Sequence, residues 1–194
     1  MPQDATDVFV IGGGPAGLAV AIAARQRGLK VMVADGAVPP IDKACGEGLL
    51  PDSLAALRRL GIQLPHSEAY AFSGIRFLNS RLSAEAPFPY RQCGVSIRRT
   101  VLHRIMTERA DQLGAHLLLG TPVSGISERA VQLADRTIHT RWIVGADGAN
   151  SRVRRWAGIE AGARPRLRYA FRRHYRVAPN GRYSRHHDES VTPT

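Results

Sequence analysis

The first 35 residues of the chain alternate short apolar runs with one stretch of helical periodicity. Residues 7–12 (DVFVIG) and 30–34 (KVMVA) are apolar and rich in β-branched side chains, which predicts two short buried strands. Residues 15–27 carry small and apolar side chains at helical spacing, and Gly28 supplies a helix stop. A strand, a helix and a second strand in so short a stretch predict a βαβ unit with parallel strands.

The chain continues with shorter elements up to about residue 160. Amphipathic spacing predicts helices at residues 51–60 and 99–113. Turn-forming residues separate the apolar pieces that follow, which predicts a small antiparallel β-meander ahead of a final strand. The predicted strands are residues 74–78, 116–119, 123–126, 130–133, 138–142 and 141–144. This pattern predicts an α/β fold in which a parallel sheet has helices on both faces and a small β-meander.

Positive charge is concentrated at the end of the chain. Of the net charge of +11, most comes from residues 152–194, which hold 11 Arg and 3 acidic residues. A basic tail can contact nucleic acid or a membrane surface. This tail has neither a nucleic-acid-binding motif nor basic amphipathic periodicity, so we expect no nucleic-acid partner.

The apolar content, the N-terminus and the cysteines indicate the class of protein. Hydrophobic residues make up 44% of the chain, enough for a buried core, and no apolar run is long enough to span a membrane. Acidic residues stand near the N-terminus, where a signal peptide would need positive charge. Cys45 and Cys93 are too few for a disulfide framework and lack metal-ligand spacing. We therefore expect a reduced, cytoplasmic protein without a metal site.

A glycine-rich sequence, GGGPAG, lies between the first predicted strand and the first predicted helix. Gly12 permits a tight turn, Gly14 lets a pyrophosphate approach the backbone, and Gly17 lets the helix pack on the strand. Pro15 and Ala16 begin the helix, whose free N–H groups and partial positive charge favour phosphate. The loop therefore predicts a dinucleotide site in a Rossmann-type domain.

Asp35 follows the second predicted strand, 23 positions after Gly12. This is close to the roughly 20-residue spacing of the acid that accepts hydrogen bonds from the ribose hydroxyls of a dinucleotide. The alternative is an ordinary glycine turn followed by a surface acid. Because strand, loop, helix and acid are in register, the dinucleotide site is favoured. These residues do not distinguish FAD from NAD.

A second motif follows the last predicted strand, in the sequence VGADGANSRVR. It satisfies the pattern DGxxSxxR through Asp147, Gly148, Ser151 and Arg154. It resembles the second fingerprint of the FAD-dependent aromatic-hydroxylase-like monooxygenases and of the related geranylgeranyl-reductase-like enzymes. The resemblance implies that Asp147 and Gly148 help to hold the flavin nucleotide and that the motif engages NAD(P)H. The alternative is an Asp-Gly turn in which Asp147 hydrogen-bonds the backbone.

Two further segments resemble the same enzymes. DKACGEGLL is similar to their Cys-Gly loop beside the flavin, which implies that Cys45 and Gly46 line the cofactor. IRRTVLHRIM is similar to their RxxL helix start, which implies that Arg99 approaches the FAD. An Arg at a helix N-terminus opposes the helix dipole, so an anionic partner would account for it. The alternatives are a buried thiol at Cys45 and a solvated arginine pair at Arg98 and Arg99.

The resemblance implies an FAD-dependent oxidoreductase, in the first place a monooxygenase, in which NAD(P)H reduces the flavin and the flavin acts on a small organic substrate. A C=C reductase of the geranylgeranyl-reductase type is the alternative within the family. An NAD-binding oxidoreductase without flavin and a non-catalytic fragment are the alternatives outside it. The sequence predicts no general acid or base, no particular substrate and no oligomeric state.

Members of the implied family carry a third fingerprint, a Gly-Asp-Ala turn that opens a helix, and no such segment follows Asp147. We therefore expect the chain to be the N-terminal part of such an enzyme. Residues 1–160 would form the FAD-binding domain with an inserted segment at about 65–95. Residues 161–194 would form the start of an incomplete substrate layer and an irregular basic tail. Because part of the FAD enclosure would be missing, we expect weak or absent FAD retention.

Overall fold

The computed structural model describes residues 5–45, 47–159, 169 and 171–174. The chain divides into two compact units. The first unit combines Met1–Asp42 with Leu102–Arg168, and the second combines Lys43–Val101 with Tyr169–Thr194. The inserted part is thus wider than the segment of about 65–95, and the predicted domain boundaries stay a prediction. Most of the predicted substrate layer and basic tail at 161–194 lies outside the described residues.

The secondary structure follows the hydrophobic pattern closely at the start of its main elements. The strands are β1 (Ala5–Ile11), β2 (Val31–Asp35), β3 (Gly48–Leu49), β4 (Ala69–Phe72), β5 (Gly74–Leu78), β6 (Ser83–Pro87), β7 (Gly94–Ile97), β8 (His116–Leu119), β9 (Gly125–Ser127), β10 (Ala130–Gln132) and β11 (Thr137–Gly145). The helices are α1 (Pro15–Arg25), α2 (Pro51–Arg59), α3 (Arg99–Gln112) and α4 (Arg152–Trp156). Helices α1, α2 and α3 begin at the predicted residues. Within the described ranges, no helix has the length and apolar character needed to cross a membrane.

A six-stranded sheet in the order β8-β2-β1-β11-β10-β9 forms the centre of the first unit. Strands β8, β2, β1 and β11 are parallel, whereas β10 pairs antiparallel with β11 and β9. The predicted βαβ unit and the predicted meander are both confirmed. The carboxyl ends of β1, β2 and β11 lie at one edge of the sheet, where open α/β sheets bind their ligands.

The side chains of β1 alternate between the two faces of this sheet, as a strand requires. Val8 and Val10 belong to an apolar cluster with residues of α1 on one face. Phe9 and Ile11 belong to a second cluster, with Val153 of α4, on the other face. Helices therefore cover both faces, and burial of each such side chain stabilises the fold by about 1.5–3 kcal/mol.

The strand that ends at the second motif differs from its prediction. Residues 138–142 and 141–144 were predicted as two pieces, but β11 is one continuous strand. Its beginning pairs antiparallel with β10, as in Ile138 opposite Val131, and its later part pairs parallel with β1. The division was wrong because Arg141 and Trp142 are exposed midway along the strand, which interrupts the apolar pattern where the strand changes neighbours.

The second unit contains the antiparallel sheet β3-β7-β4 and the separate hairpin β5-β6. Helix α2 packs on β7 and β3. Residues 37–50 were predicted as a loop, yet β3 lies within them and pairs Leu49 with Val95. A strand of two residues is too short to show any alternation in its sequence, so only its partner reveals it.

Candidate functional site

The loop after β1 requires glycine at two positions because backbone atoms approach too closely for a side chain. A Cβ on Gly12, whose φ is +114°, would lie 2.3 Å from the Ala146 carbonyl oxygen. A Cβ on Gly17 would lie 1.9 Å from the Gly12 carbonyl oxygen. Gly12 thus brings the loop against the turn after β11, and Gly17 brings α1 against the loop.

Helix α1 begins directly after this loop, with Pro15 in its first turn and Gly14 as the N-cap residue. No side chain caps this N-terminus. The N–H groups of Ala16 and Gly17 precede the first full turn and so have no partner within the helix. Together with the partial positive charge of the helix dipole, they form the arrangement that binds phosphate groups.

Asp35, the last residue of β2, holds the glycine loop from one side. Its Oδ2 accepts a hydrogen bond from the Gly13 amide at 2.7 Å, and its Oδ1 accepts one from the Ala37 amide at 2.8 Å. Each carboxylate oxygen has a second lone pair, so the half-buried side chain can still accept hydroxyl groups. The hydrogen bond between Gly13 and Asp35 was not predicted, and the contact of Asp35 with ribose stays a prediction.

His103 bonds the carbonyl group of the same glycine. Its Nε2 lies 3.0 Å from the Gly13 carbonyl oxygen, and the residue is only 1% exposed. Since a carbonyl can only accept, this hydrogen bond requires the proton on Nε2. Sequence reasoning gave no site role to His103, which was expected to be structural or exposed, because a single histidine in a helix carries no motif. Its helical spacing to the apolar Met106 was the signal that could have shown it to be buried.

Asp147 joins the turn after β11 to the start of α4. Its carboxylate accepts hydrogen bonds from the Ser151 hydroxyl at 2.5 Å and from the amides of Arg152 at 2.6 Å and Val153 at 3.1 Å. Partial burial acts to raise the pKa of Asp147, but the hydrogen bonds from Ser151, Val153 and Arg152 outweigh it and hold the pKa below its usual value. These bonds match the backbone-capping alternative. A contact of Asp147 with the nucleotide stays a prediction.

The other residues of DGxxSxxR complete the same turn. Ser151 is the N-cap of α4 and accepts a hydrogen bond from the Arg154 amide at 3.1 Å. The Arg154 guanidinium donates to the Ala149 carbonyl. Gly148 has φ of +85°, a conformation that glycine adopts without strain. The motif is therefore a self-contained turn whose side chains bond one another and the local backbone.

Glu47 is the centre of a partly buried cluster of polar side chains in the second unit, and sequence reasoning gave it no role. Its side chain is 9% exposed, and Oε1 accepts hydrogen bonds from the Arg99 amide at 2.8 Å and the Arg172 guanidinium at 2.9 Å. Its Oε2 lies 2.7 Å from Nε2 of His174. Glu47 has φ of +52°, which costs a residue with a Cβ about 1–2 kcal/mol. An acid between two glycines in a chain whose later part is basic was the available signal.

Arg99 carries an unsatisfied group. Its Nε is buried and has no hydrogen-bond partner among the described residues. Leaving such a donor unpaired costs about 1–3 kcal/mol, and an anionic ligand would remove that cost. The buried Nε contradicts the alternative of a fully solvated arginine pair, because Arg98 is exposed but Arg99 is not. The predicted contact of Arg99 with FAD remains a prediction.

The predicted Cys-Gly segment is only partly described. Cys45 is an exposed free thiol, so the alternative of a buried thiol is wrong. Gly46 lies outside the described residues. The expected proximity of both residues to the flavin stays a prediction. Within the residues that the structure describes, no three His, Cys, Asp or Glu side chains are grouped so that they could hold a metal ion.

A family model described as "FAD binding domain" matches residues 5–172, a stretch that contains both the glycine loop and the turn at Asp147. The chain belongs to this FAD binding domain family. The prediction of an FAD-binding domain is therefore confirmed. The alternative of an NAD-binding domain without flavin is not supported.

Two curated relatives illustrate the range of this family. Menaquinone reductase of Mycolicibacterium smegmatis is 37% identical over 163 residues, which cover 78% of this chain and 40% of the reductase. Rifampicin monooxygenase of Streptomyces venezuelae is 27% identical over 161 residues, which cover 79% of this chain and 34% of the monooxygenase. The chain thus spans less than half the length of these relatives.

Solved structures confirm the fold of this FAD binding domain. A probable FAD-dependent monooxygenase from Pseudomonas aeruginosa superposes with a TM-score of 0.72 at 22% identity, covering 84% of this chain and 48% of that one. A geranylgeranyl bacteriochlorophyll reductase-like protein from Thermoplasma acidophilum gives a TM-score of 0.64 at 24% identity, covering 80% and 42%. The predicted Rossmann-type α/β architecture is therefore confirmed.

The residues of each unit fit the cofactor that the family name implies. In the first unit, a phosphate can approach the uncapped start of α1 over glycines that leave no side chain in its path. Asp35 retains lone pairs for ribose hydroxyls beyond its two backbone bonds. In the second unit, the buried Nε of Arg99 has no hydrogen-bond partner within the described ranges, and FAD carries anionic groups of the kind that accept from a guanidinium.

Proposed function

We propose that this FAD binding domain serves an oxidoreductase that uses NAD(P)H to reduce a carbon–carbon double bond of an isoprenoid substrate such as menaquinone. The observation that carries the proposal is the difference in identity among its relatives. Menaquinone reductases are 34–37% identical to the chain, against 27–30% for rifampicin monooxygenases and 26–29% for digeranylgeranylglycerophospholipid reductases. Reductase chemistry, the alternative from the motifs, is thereby favoured over oxygenation.

The chain's own part in this reaction is to bind and orient the cofactor. The uncapped N–H groups of α1 would bind the pyrophosphate, and the Asp35 carboxylate would accept hydrogen bonds from the adenosine ribose. The Nε of Arg99 would donate to an anionic group of FAD. Bound FAD supplies the two-electron chemistry, accepting reducing equivalents from NAD(P)H and passing them to an organic acceptor.

A monooxygenase is the second candidate, and a specific observation favours it as well. Rifampicin monooxygenases are 27–30% identical to the chain, so the same domain also occurs in enzymes that oxygenate their substrates. The two reactions differ in the reactants that they consume and the products that they form. A reductase consumes one NAD(P)H and one proton for each double bond and adds two hydrogens to the product. A monooxygenase also consumes O₂, places one oxygen atom in the product and releases the other as water.

The first experiment measures whether the chain binds FAD, by titrating FAD into purified protein and following flavin fluorescence. Saturable binding is expected, with an affinity low enough that FAD is lost on gel filtration. The variant Gly17→Ala is the control, because its Cβ would lie 1.9 Å from a backbone oxygen and would displace α1 from the loop. An FAD affinity of the variant equal to that of the wild type would count against the proposed site.

The second experiment separates the two reactions. NADPH oxidation by FAD-loaded protein is followed with menaquinone under anaerobic conditions and again in air. A reductase consumes NADPH anaerobically and gives a product heavier by two hydrogens, as mass spectrometry would show. Consumption that needs O₂ and yields an oxygenated product would favour the monooxygenase. Loss of NADPH oxidation in both conditions would favour the non-catalytic fragment.

A further inference from the structure

We propose that His103 is a positioning residue for the pyrophosphate site, acting through the peptide that joins Gly13 to Gly14. This inference rests on the proposed binding of FAD. His103 Nε2 donates to the Gly13 carbonyl oxygen at 3.0 Å. In a trans peptide the N–H points away from the carbonyl, so the same bond directs the Gly14 N–H to the opposite side. That side is where the motif places a pyrophosphate.

Gly13 is held at both of its polar groups by side chains from different elements. Its amide donates to Asp35 of β2 at 2.7 Å, and its carbonyl accepts from His103 of α3. Glycine has the widest conformational freedom of any residue, so an unsupported Gly13 would let the adjoining peptides rotate. The two hydrogen bonds remove that freedom before a ligand arrives. A site organised in advance binds more tightly because less ordering entropy is lost on binding.

The helix that carries His103 is itself fixed to the first helix. The Arg25 guanidinium of α1 donates from Nε to the Leu113 carbonyl just beyond the end of α3 at 2.7 Å. His103 lies near the start of α3 and is 1% exposed, so water does not compete for its bond to Gly13. The buried hydrogen bond from His103 therefore couples the position of the glycine loop to that of α3.

The chemistry of this bond separates a positioning role from simple packing. The Gly13 carbonyl needs only a donor, and glutamine can present an amide N–H from a position similar to that of His Nε2. The variant His103→Leu removes the donor and keeps an apolar side chain, whereas His103→Gln restores a donor. A residue that served only to fill volume would tolerate leucine at least as well as glutamine.

The test uses the whole chain with three variants: His103→Leu, His103→Gln and, as a control on the same helix, Thr107→Val. The control removes a hydroxyl that donates to the His103 carbonyl at 2.8 Å, a bond internal to α3.

FAD titration gives the affinity of each variant for FAD, and urea unfolding gives its stability. Amide NMR of the protein without FAD reports the environment of the Gly14 N–H. We expect His103→Leu to weaken FAD binding about tenfold and to shift the Gly14 amide signal. We expect His103→Gln to stay within about threefold of wild type and Thr107→Val to have no effect on affinity.

The outcomes distinguish this inference from the proposed function. If the wild type binds FAD and His103→Leu binds it equally well, the positioning role is wrong while FAD binding stands. The same conclusion holds if His103→Gln loses as much affinity as His103→Leu. If the wild type shows no saturable FAD binding, the proposed function fails and the role of His103 in it fails as well.

Discussion

Gly12 and Ala146 lie in direct backbone contact although 133 residues separate them in sequence. A Cβ on Gly12 would come within 2.3 Å of the Ala146 carbonyl oxygen. The Ala146 amide also donates to the Ile11 carbonyl at 2.7 Å, which extends the parallel pairing of β1 with β11. The glycine loop and the turn at Asp147 therefore pack against each other, and a substitution that moves one of them should also move the other.

We predict that Gly12→Ala lowers the free energy of unfolding by about 3 kcal/mol or more, because the new methyl group overlaps backbone atoms that cannot move without parting β1 from β11. Urea unfolding followed by circular dichroism measures this change. Gly28→Ala is the matched control. Gly28 also has positive φ, +78°, but a Cβ there would meet no atom within 4 Å. It should cost only about 1–2 kcal/mol. Equal losses in the two variants would show that the contact with Ala146 is unimportant.

Arg99→Met is expected to separate binding from stability. The substitution removes the buried Nε, which has no hydrogen-bond partner in the described part of the chain, but keeps the backbone amide that donates to Glu47 at 2.8 Å. The free energy of unfolding should therefore stay unchanged or rise by about 1 kcal/mol, while the affinity for FAD falls about tenfold. Calorimetry and FAD titration on the same samples measure the two quantities. The neighbouring Arg98→Met, at an exposed position, should change neither. A stability loss without a change in affinity would assign Arg99 a purely structural role.

The first unit could be predicted from sequence because its signals are local. The strand β1, the start of α1 at Pro15 and the end of β2 at Asp35 follow from apolar runs, a glycine loop and an acid at known spacing. Each of these features is set by neighbours close along the chain. Strand β8 was predicted at its observed bounds for the same reason.

The remaining features depend on contacts between distant parts of the chain. Glu47 bonds Arg172 and His174, more than a hundred residues away, and no pattern near Glu47 records those partners. His103 reaches Gly13 across 90 residues. The continuous strand β11 was missed because its burial changes where it passes from one neighbour to another. The periodicity of a strand's sequence shows which of its side chains are buried, but it does not show where the strand changes its pairing partner.

The turn at Asp147 should give the protein a definite loss of stability in acid. The folded-state pKa of Asp147 lies below its usual value, so this carboxylate contributes stability that is fully present above the unfolded pKa of about 4 and is lost as pH falls through the folded value. Asp147→Asn removes the contribution. Urea unfolding at several pH values should show a constant difference from wild type above about pH 5 that shrinks below about pH 4.

Ser151→Ala tests the source of this effect, because the Ser151 hydroxyl donates the shortest of the hydrogen bonds to Asp147. Removing it should bring the pKa of Asp147 closer to its usual value and so reduce the acid-dependent part of the difference. A difference between wild type and Asp147→Asn that does not vary with pH would contradict the assignment. It would indicate that the carboxylate acts only through the shape of the turn.

Glu47→Gln should destabilise the second unit by about 3 kcal/mol, because it leaves the guanidinium of Arg172, whose side chain is only 14% exposed, without its counter-charge. The glutamine oxygen can still accept from the Arg99 amide, so the loss reports mainly on charge. Glu85→Gln is the control: Glu85 pairs with Arg76 on the exposed hairpin β5-β6, and its loss should cost less than about 1 kcal/mol. Chemical unfolding measures both losses.

The double variant Glu47→Gln with Arg172→Met, compared with the two single variants, measures the coupling between Glu47 and Arg172. If Glu47 and Arg172 act through their charges, the double variant should lose about 1–3 kcal/mol less than the sum of the single variants. Strict additivity would instead show that the loss in Glu47→Gln does not come from its ion pair with Arg172.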